Sequence, residues 1–174
     1  MHKSLLLVPL IAALGACATA PVPLKGEFAA LSPSESIVGG RSGERVRWGG
    51  EIIEVVPGES STCIEMLTRT LDASARPQRS DSSDGRFIAC RSGFYDPEVF
   101  LKGRELTIVG TIDGTRKGRV GQYDYVYPLL AADVIYLWPK RPLIIQQNFY
   151  DPFWGPGFGP YWGGGYWGPR PMPW

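Results

Sequence analysis

Five segments that alternate apolar and polar side chains, a glycine pair inside the first of them, and one cappable helical turn between the third and fourth predict an all-β fold. The architecture they describe is a small five-stranded OB-like Greek-key barrel with one short helix, flanked by an N-terminal tether and an aromatic, Gly/Pro-rich C-terminal tail. A chain of 174 residues is long enough for one such domain with its own core, and not for two.

The first strand is "RVRWGGEIIEVV", from Arg45. Val46 and Trp48 share one face, and apolar positions resume at Ile52 and Ile53 beyond Gly49-Gly50. A glycine pair weakens a strand unless it makes a bulge or a sharp bend, and a first strand needs such a bend to curl across a small barrel. Pro57-Gly58 closes it with a turn. "TCIEMLTRTLD" (62–72) reads as the second strand, "ASARPQRSDSSDG" as a polar connection, and "GRFIACRSG" (85–93) as the third strand. In "YDPEVFLKG", Asp96 suits an N-cap, Pro97 the first helical position, Glu98 the positive dipole end and Gly103 the stop. This predicts one or two helical turns over 97–102. "RELTIVGTIDG" supplies a fourth strand, and "YVYPLLAADVIYLW" a fifth, best over 132–138. A helix between the third and fourth strands distinguishes the OB arrangement from a generic small barrel or sandwich.

The chain begins with Lys3 and the apolar run "LLLVPLIAALGAC" (5–17). That run is too short for the roughly 30 Å hydrocarbon core, which needs about 20 apolar residues, but it has the length of a signal-peptide h-region. It ends Leu14-Gly15-Ala16-Cys17, which resembles the bacterial lipobox: the cysteine is acylated and becomes the N-terminus after cleavage. The alternative is a plain secretory signal with a chance cysteine. Acyl chains on Cys17 would hold the protein on a bilayer at about 0.8 kcal/mol per buried methylene. Ala18, where an aspartate would retain a lipoprotein in the inner membrane, permits transfer to the outer membrane. The organisation expected is a signal peptide (1–16), a lipidated tether (17–40, with "ATAPVP" and the polar turn cluster "LSPSES"), the barrel (41–142) and the tail (143–174).

Removing residues 1–16 takes away Lys3 and no acid, leaving 17 basic and 17 acidic side chains, so no net field steers the mature chain to nucleic acid. His2, the only histidine, leaves with the signal peptide. The usual general base, the common triads and the commonest zinc ligand go with it. No catalytic residue, metal or cofactor is expected. Scattered carboxylates such as Glu51, Glu54, Glu65 and Asp72 fit an ordinary solvent face. Cys63 and Cys90 remain. Counting outward from a hairpin centre near Arg76 and Pro77 sets 63 opposite 90, so an oxidising compartment can bridge them; two half-buried thiols are the alternative.

Between the fourth and fifth strands, "GTRKGRVGQYDY" carries Arg116, Lys117 and Arg119. They are candidates for anion or ligand contact on an OB loop, or simply a solvated basic turn. From Phe149 to Trp174 the chain holds 10 of its 21 aromatic residues, separated by seven glycines and six prolines. This low-complexity stretch suits neither helix nor central strand. It is either a disordered extension or an interfacial surface anchored by Trp154, Trp162 and Trp167, residues that favour the headgroup region and stack on sugars.

"VRWGGEIIEV", "GRFIACRSGFYDPEVFLKGRELTIVGTIDG" and "YVYPLLAADVIYLWP" resemble the Slp family of bacterial outer-membrane lipoproteins over roughly Arg45 to Pro139, with the lipobox ahead of them and an aromatic, glycine-rich tail behind. The resemblance implies a lipid-anchored outer-membrane protein facing the periplasm, associated with starvation or stationary-phase stress, and supplies no catalytic site. The expected role is therefore a non-enzymatic envelope or stress-associated one. The expected partners are the bilayer, through acylated Cys17, and cell-wall glycan or other envelope proteins. An OB-type module that binds cell-wall glycan or another envelope component is the alternative.

Overall fold

A computed structural model of the chain describes residues 19–142. Its five strands are β1 (Arg45–Pro57), β2 (Ser61–Thr68), β3 (Arg86–Ser92), β4 (Glu105–Val120) and β5 (Tyr123–Leu137). They close into a barrel in the order β1-β2-β3-β5-β4, antiparallel throughout except for the parallel β3–β5 pair. This is the five-stranded Greek-key arrangement the alternation predicts.

β1 is the hinge of the closure. Its first half, Arg45 to Glu51, pairs with β4, and its second half, Gly50 to Pro57, with β2. The changeover falls on the glycine pair. A Cβ on Gly50 would run into the Leu67 carbonyl, and one on Gly49 would stand 2.7 Å from Leu71 Cδ2 and 2.8 Å from the Leu106 oxygen. Two strands crowd β1 here from opposite sides, which only a residue without a side chain permits. Val46, Trp48, Ile52, Ile64, Met66, Phe87, Leu106 and Ile108 fill the interior from alternate positions, with Trp48 and Phe87 edge to face at 5.2 Å.

The helix expected over 97–102 is a single turn. Asp96 caps as anticipated: its carboxylate accepts from the Glu98 N–H (2.9 Å), and its carbonyl from Val99 (3.0 Å) and Phe100 (2.9 Å). The turn stops because Phe100 packs onto the core and against Tyr95. Gly103 and Arg104 have also already joined β1, exchanging hydrogen bonds with Ile52. Among the described residues the one α-helix, α1 (Pro33–Gly39), lies instead in the stretch expected as tether. Ser32 and Glu35 form a reciprocal capping box (3.3 and 2.8 Å), and Gly40 ends the helix in the left-handed region at φ 57°.

From Ala20 onward that stretch is a strap on the barrel rather than a spacer. Leu24, in a 3-10 turn (Val22–Leu24), is fully buried. With Ala75, Val109 and Trp138 it forms a second core on the outer side of β4–β5, joined by Ala20, Phe28, Leu71, Val134 and Tyr136. The Ala29 N–H donates to the Arg45 carbonyl (2.8 Å), fixing the strap along β1 where β2 has diverged. β2 ends at Thr68, short of Asp72, because Leu71 turns out to bridge Pro77 and join this outer cluster. β4 and β5 run longer than expected, and the basic segment is a paired hairpin arm instead of a loop.

Candidate functional site

Two concavities flank the barrel wall. The larger, about 790 Å³, lies between strap residues 26–33 and the barrel at Arg47–Gly49 and Thr68–Leu71. Its walls are held by buried-end hydrogen bonds. The Trp48 indole N–H donates to the Leu31 carbonyl (2.6 Å), and the Arg47 guanidinium donates to the Leu24 carbonyl (2.8 Å) while lying 4.9 Å from the centre of the Phe28 ring. Arg69 pairs with Glu51 (3.2 Å) and donates to the Ser82 carbonyl (3.0 Å). Among its lining residues Thr68 stands out: it is 5% exposed, and its hydroxyl has no hydrogen-bond partner among the described residues. A buried hydroxyl left unpaired costs about 1–3 kcal/mol, which a ligand or water meeting it would recover. Walls that are apolar at Phe28, Leu31 and Leu71 and charged at Glu27, Arg47, Arg69 and Asp84, with one spare hydroxyl, suit a polar ligand.

The smaller concavity, about 210 Å³, lies on the outer side of β2–β3 beside the β4–β5 arm, lined by Glu54, Cys63, Glu65, Ile88 and Arg116 among others. Cys63 and Cys90 are register partners across β2–β3, with Cα atoms 4.1 Å apart, and are joined by a disulfide. Glu65 accepts from Arg86 (2.7 Å) and from the Tyr127 hydroxyl (3.3 Å). Burial, reinforced by the Glu65 charge, pushes the Tyr127 phenol above its ordinary value, so this hydroxyl stays a donor.

The three basic residues do not converge. Strand alternation sends Arg116 to one face of the arm and Lys117 and Arg119 to the other. Arg116 reaches the small concavity, and Arg119 pairs with Asp124 at 3.2 Å on an exposed surface. Cys17 and the tail residues Trp154, Trp162 and Trp167 lie outside the described residues. Among the described residues no three His, Cys, Asp or Glu side chains are grouped to hold a metal, and no helix is long and apolar enough to cross a membrane. Thr68 and the strap wall were missed by sequence reasoning. The signal was present in "LSPSES", where Ser32 and Glu35 have capping-box spacing.

Fold and concavities together define a small five-stranded Greek-key barrel with concavities on its outer surface. The chain belongs to the Slp family of outer membrane lipoproteins, whose model matches residues 14–168. It is similar to outer membrane protein Slp of Escherichia coli K12, with 30% identity over 176 residues covering 97% of this chain and 90% of that one. It is also similar to the uncharacterized lipoprotein YeaY of the same organism (31% over 156 residues; 85% and 79%). An uncharacterized protein of Haemophilus influenzae shares 42% over 94 residues (53% and 51%). No solved structure matches.

Proposed function

We propose that the chain is exported, acylated at Cys17 and held on the periplasm-facing leaflet of the outer membrane, where its barrel has a non-enzymatic structural or stress-associated role. The observation that carries this reading is the extent of the family match. It opens at residue 14, the first position of Leu14-Gly15-Ala16-Cys17, and runs through the barrel, so the lipidation motif and the fold match as one unit. A mature chain without histidine fits a role without proton transfer. Replacing Cys17 with serine should abolish labelling by radioactive palmitate and leave an uncleaved or mislocalised precursor. Intact-mass analysis of envelope protein should show the acyl additions; a free thiol at Cys17 would sink the reading.

A second reading, a module that binds cell-wall glycan, is favoured by the strap groove with its unpartnered Thr68 hydroxyl. Titration with muropeptide fragments tests it. Thr68→Val removes the hydroxyl at nearly constant shape, so it should leave stability unchanged or slightly raised while weakening binding. Saturable binding unaffected by the substitution would move the site elsewhere. The tail tryptophans, Trp154, Trp162 and Trp167, are proposed as additional interfacial anchors. Truncation after Pro142 should then weaken vesicle association without unfolding the barrel.

A further inference from the structure

We propose that the barrel lies directly on the phospholipid headgroups through its strap-covered side, instead of standing off on a flexible stalk. This deepens the anchoring proposed above and rests on it. The argument begins with reach. Ala20 is packed against the outer core that contains Trp138 and Tyr136. Only three residue steps separate it from Cys17, and at most about 3.6 Å per step puts Ala20 within about 11 Å of the acylated residue. The headgroup layer is itself roughly 5–7 Å thick on each side of the hydrocarbon. Acyl chains entering the hydrocarbon from Cys17 therefore keep the strap within a few ångströms of that layer.

The surface brought there has the composition the layer favours. Val22 is 79% exposed, an apolar side chain set between Pro21 and Pro23 in the 3-10 turn. Lys25, which follows Leu24, and Lys140, two residues after Trp138, are exposed, so both can meet lipid phosphates. Behind them Trp138 is buried beneath the strap, edge to face with half-buried Tyr136 at 4.7 Å, so the pair braces the strap from below. A surface that offers lysines and an exposed apolar side chain suits a headgroup layer that carries phosphates. Two independent observations, the short leash and the surface it leads to, select the same face. The committed partner is a phospholipid bilayer containing phosphatidylethanolamine and phosphatidylglycerol.

The test uses the full lipidated chain reconstituted in vesicles of those two lipids. Spin labels are placed at Val22→Cys, and at Gln122→Cys in the β4–β5 turn. Collision with a water-soluble nickel chelate is read at each site. At position 22 it should fall several-fold below position 122, and collision with oxygen should rise. If intact mass shows the acyl chains yet both labels meet nickel equally, the docked orientation is wrong and the anchor stands. If Cys17 carries no lipid, the anchor fails and the docking fails with it.

Discussion

The barrel interior and the cluster beneath the strap are both buried and apolar, but they are assembled in different ways. The interior takes one side chain in two from its strands, as at Ile64, Met66, Phe87 and Ile108. The outer cluster draws Leu24, Ala75, Val109 and Trp138 from four separate stretches, three of them outside any strand. A polar seam joins it: the Trp138 indole donates to the Thr107 hydroxyl (2.9 Å), which donates to the Ala75 carbonyl (2.6 Å). That bond helps hold Ala75 at φ 64°, a conformation alanine seldom adopts. The contrast shows that the two outer faces of one barrel are written differently. β2 and β3 show water Glu65 and Arg86, whereas β4 and β5 present Val109, Val134 and Tyr136 because a strap covers them.

The two regions can be broken separately. Phe87→Ala should have the largest effect, about 3–5 kcal/mol, lowering the urea midpoint of the whole domain because a buried ring leaves a cavity beside Trp48. Opening the disulfide with Cys63→Ala and Cys90→Ala should cost about 2–4 kcal/mol, since the bridge closes a separation of 27 residues in the unfolded chain. Alkylation of the denatured, unreduced protein at both positions would remove the basis for that expectation.

Leu24→Ala sharpens the contrast. If the strap is part of the fold, the substitution costs about 2 kcal/mol, the low end for a buried leucine, because the strap can settle into the gap. No change in the urea midpoint would return the strap to the status of a spacer. The smallest effect is Ser32→Ala, about 1 kcal/mol for a lost cap. Hydrogen bonds from the Ser32 backbone and hydroxyl hold the Glu35 carboxyl below its ordinary value of 4.5. A depressed acid stabilises the fold above that value and ceases to do so as pH falls through its folded pKa. Protection of the α1 amides relative to their intrinsic exchange should therefore fall below about pH 4.5 in the wild type, with a smaller step in Ser32→Ala, which keeps the backbone hydrogen bond to Glu35.

Much of the barrel was legible because period-2 alternation states which face is buried. The Gly49-Gly50 crossover, the five strands and the facing of Cys63 and Cys90 all follow from it. The strap was not, because its contacts come from scattered residues in Pro- and Ser-rich sequence that carries no period. A signal existed on the partner side. In "TIVG" and "VIYLW" apolar residues run consecutively, as they do in strands buried on both faces, so something had to cover β4 and β5. Asp96 misled in the opposite sense. Its capping chemistry was read correctly, but propensity could not reveal that Gly103 and Arg104 would be claimed by β1. The basic segment looked like a loop because its glycines and charges hide a two-stranded arm held by backbone pairing from Thr115 to Tyr123.

The central claim is that residues 20–40 belong to the fold and so would hold the barrel close to the anchor proposed at Cys17. Native-state amide exchange tests it most directly, at Ala29, whose N–H donates to the Arg45 carbonyl at 2.8 Å, and at Leu24, whose N–H donates to the Pro21 carbonyl at 2.9 Å. The account predicts that Ala29 exchanges nearly as slowly as the amides of β1, with Leu24 clearly slowed relative to a free peptide. Exchange of both at the rate of an unstructured chain, while β1 stays protected, would contradict it.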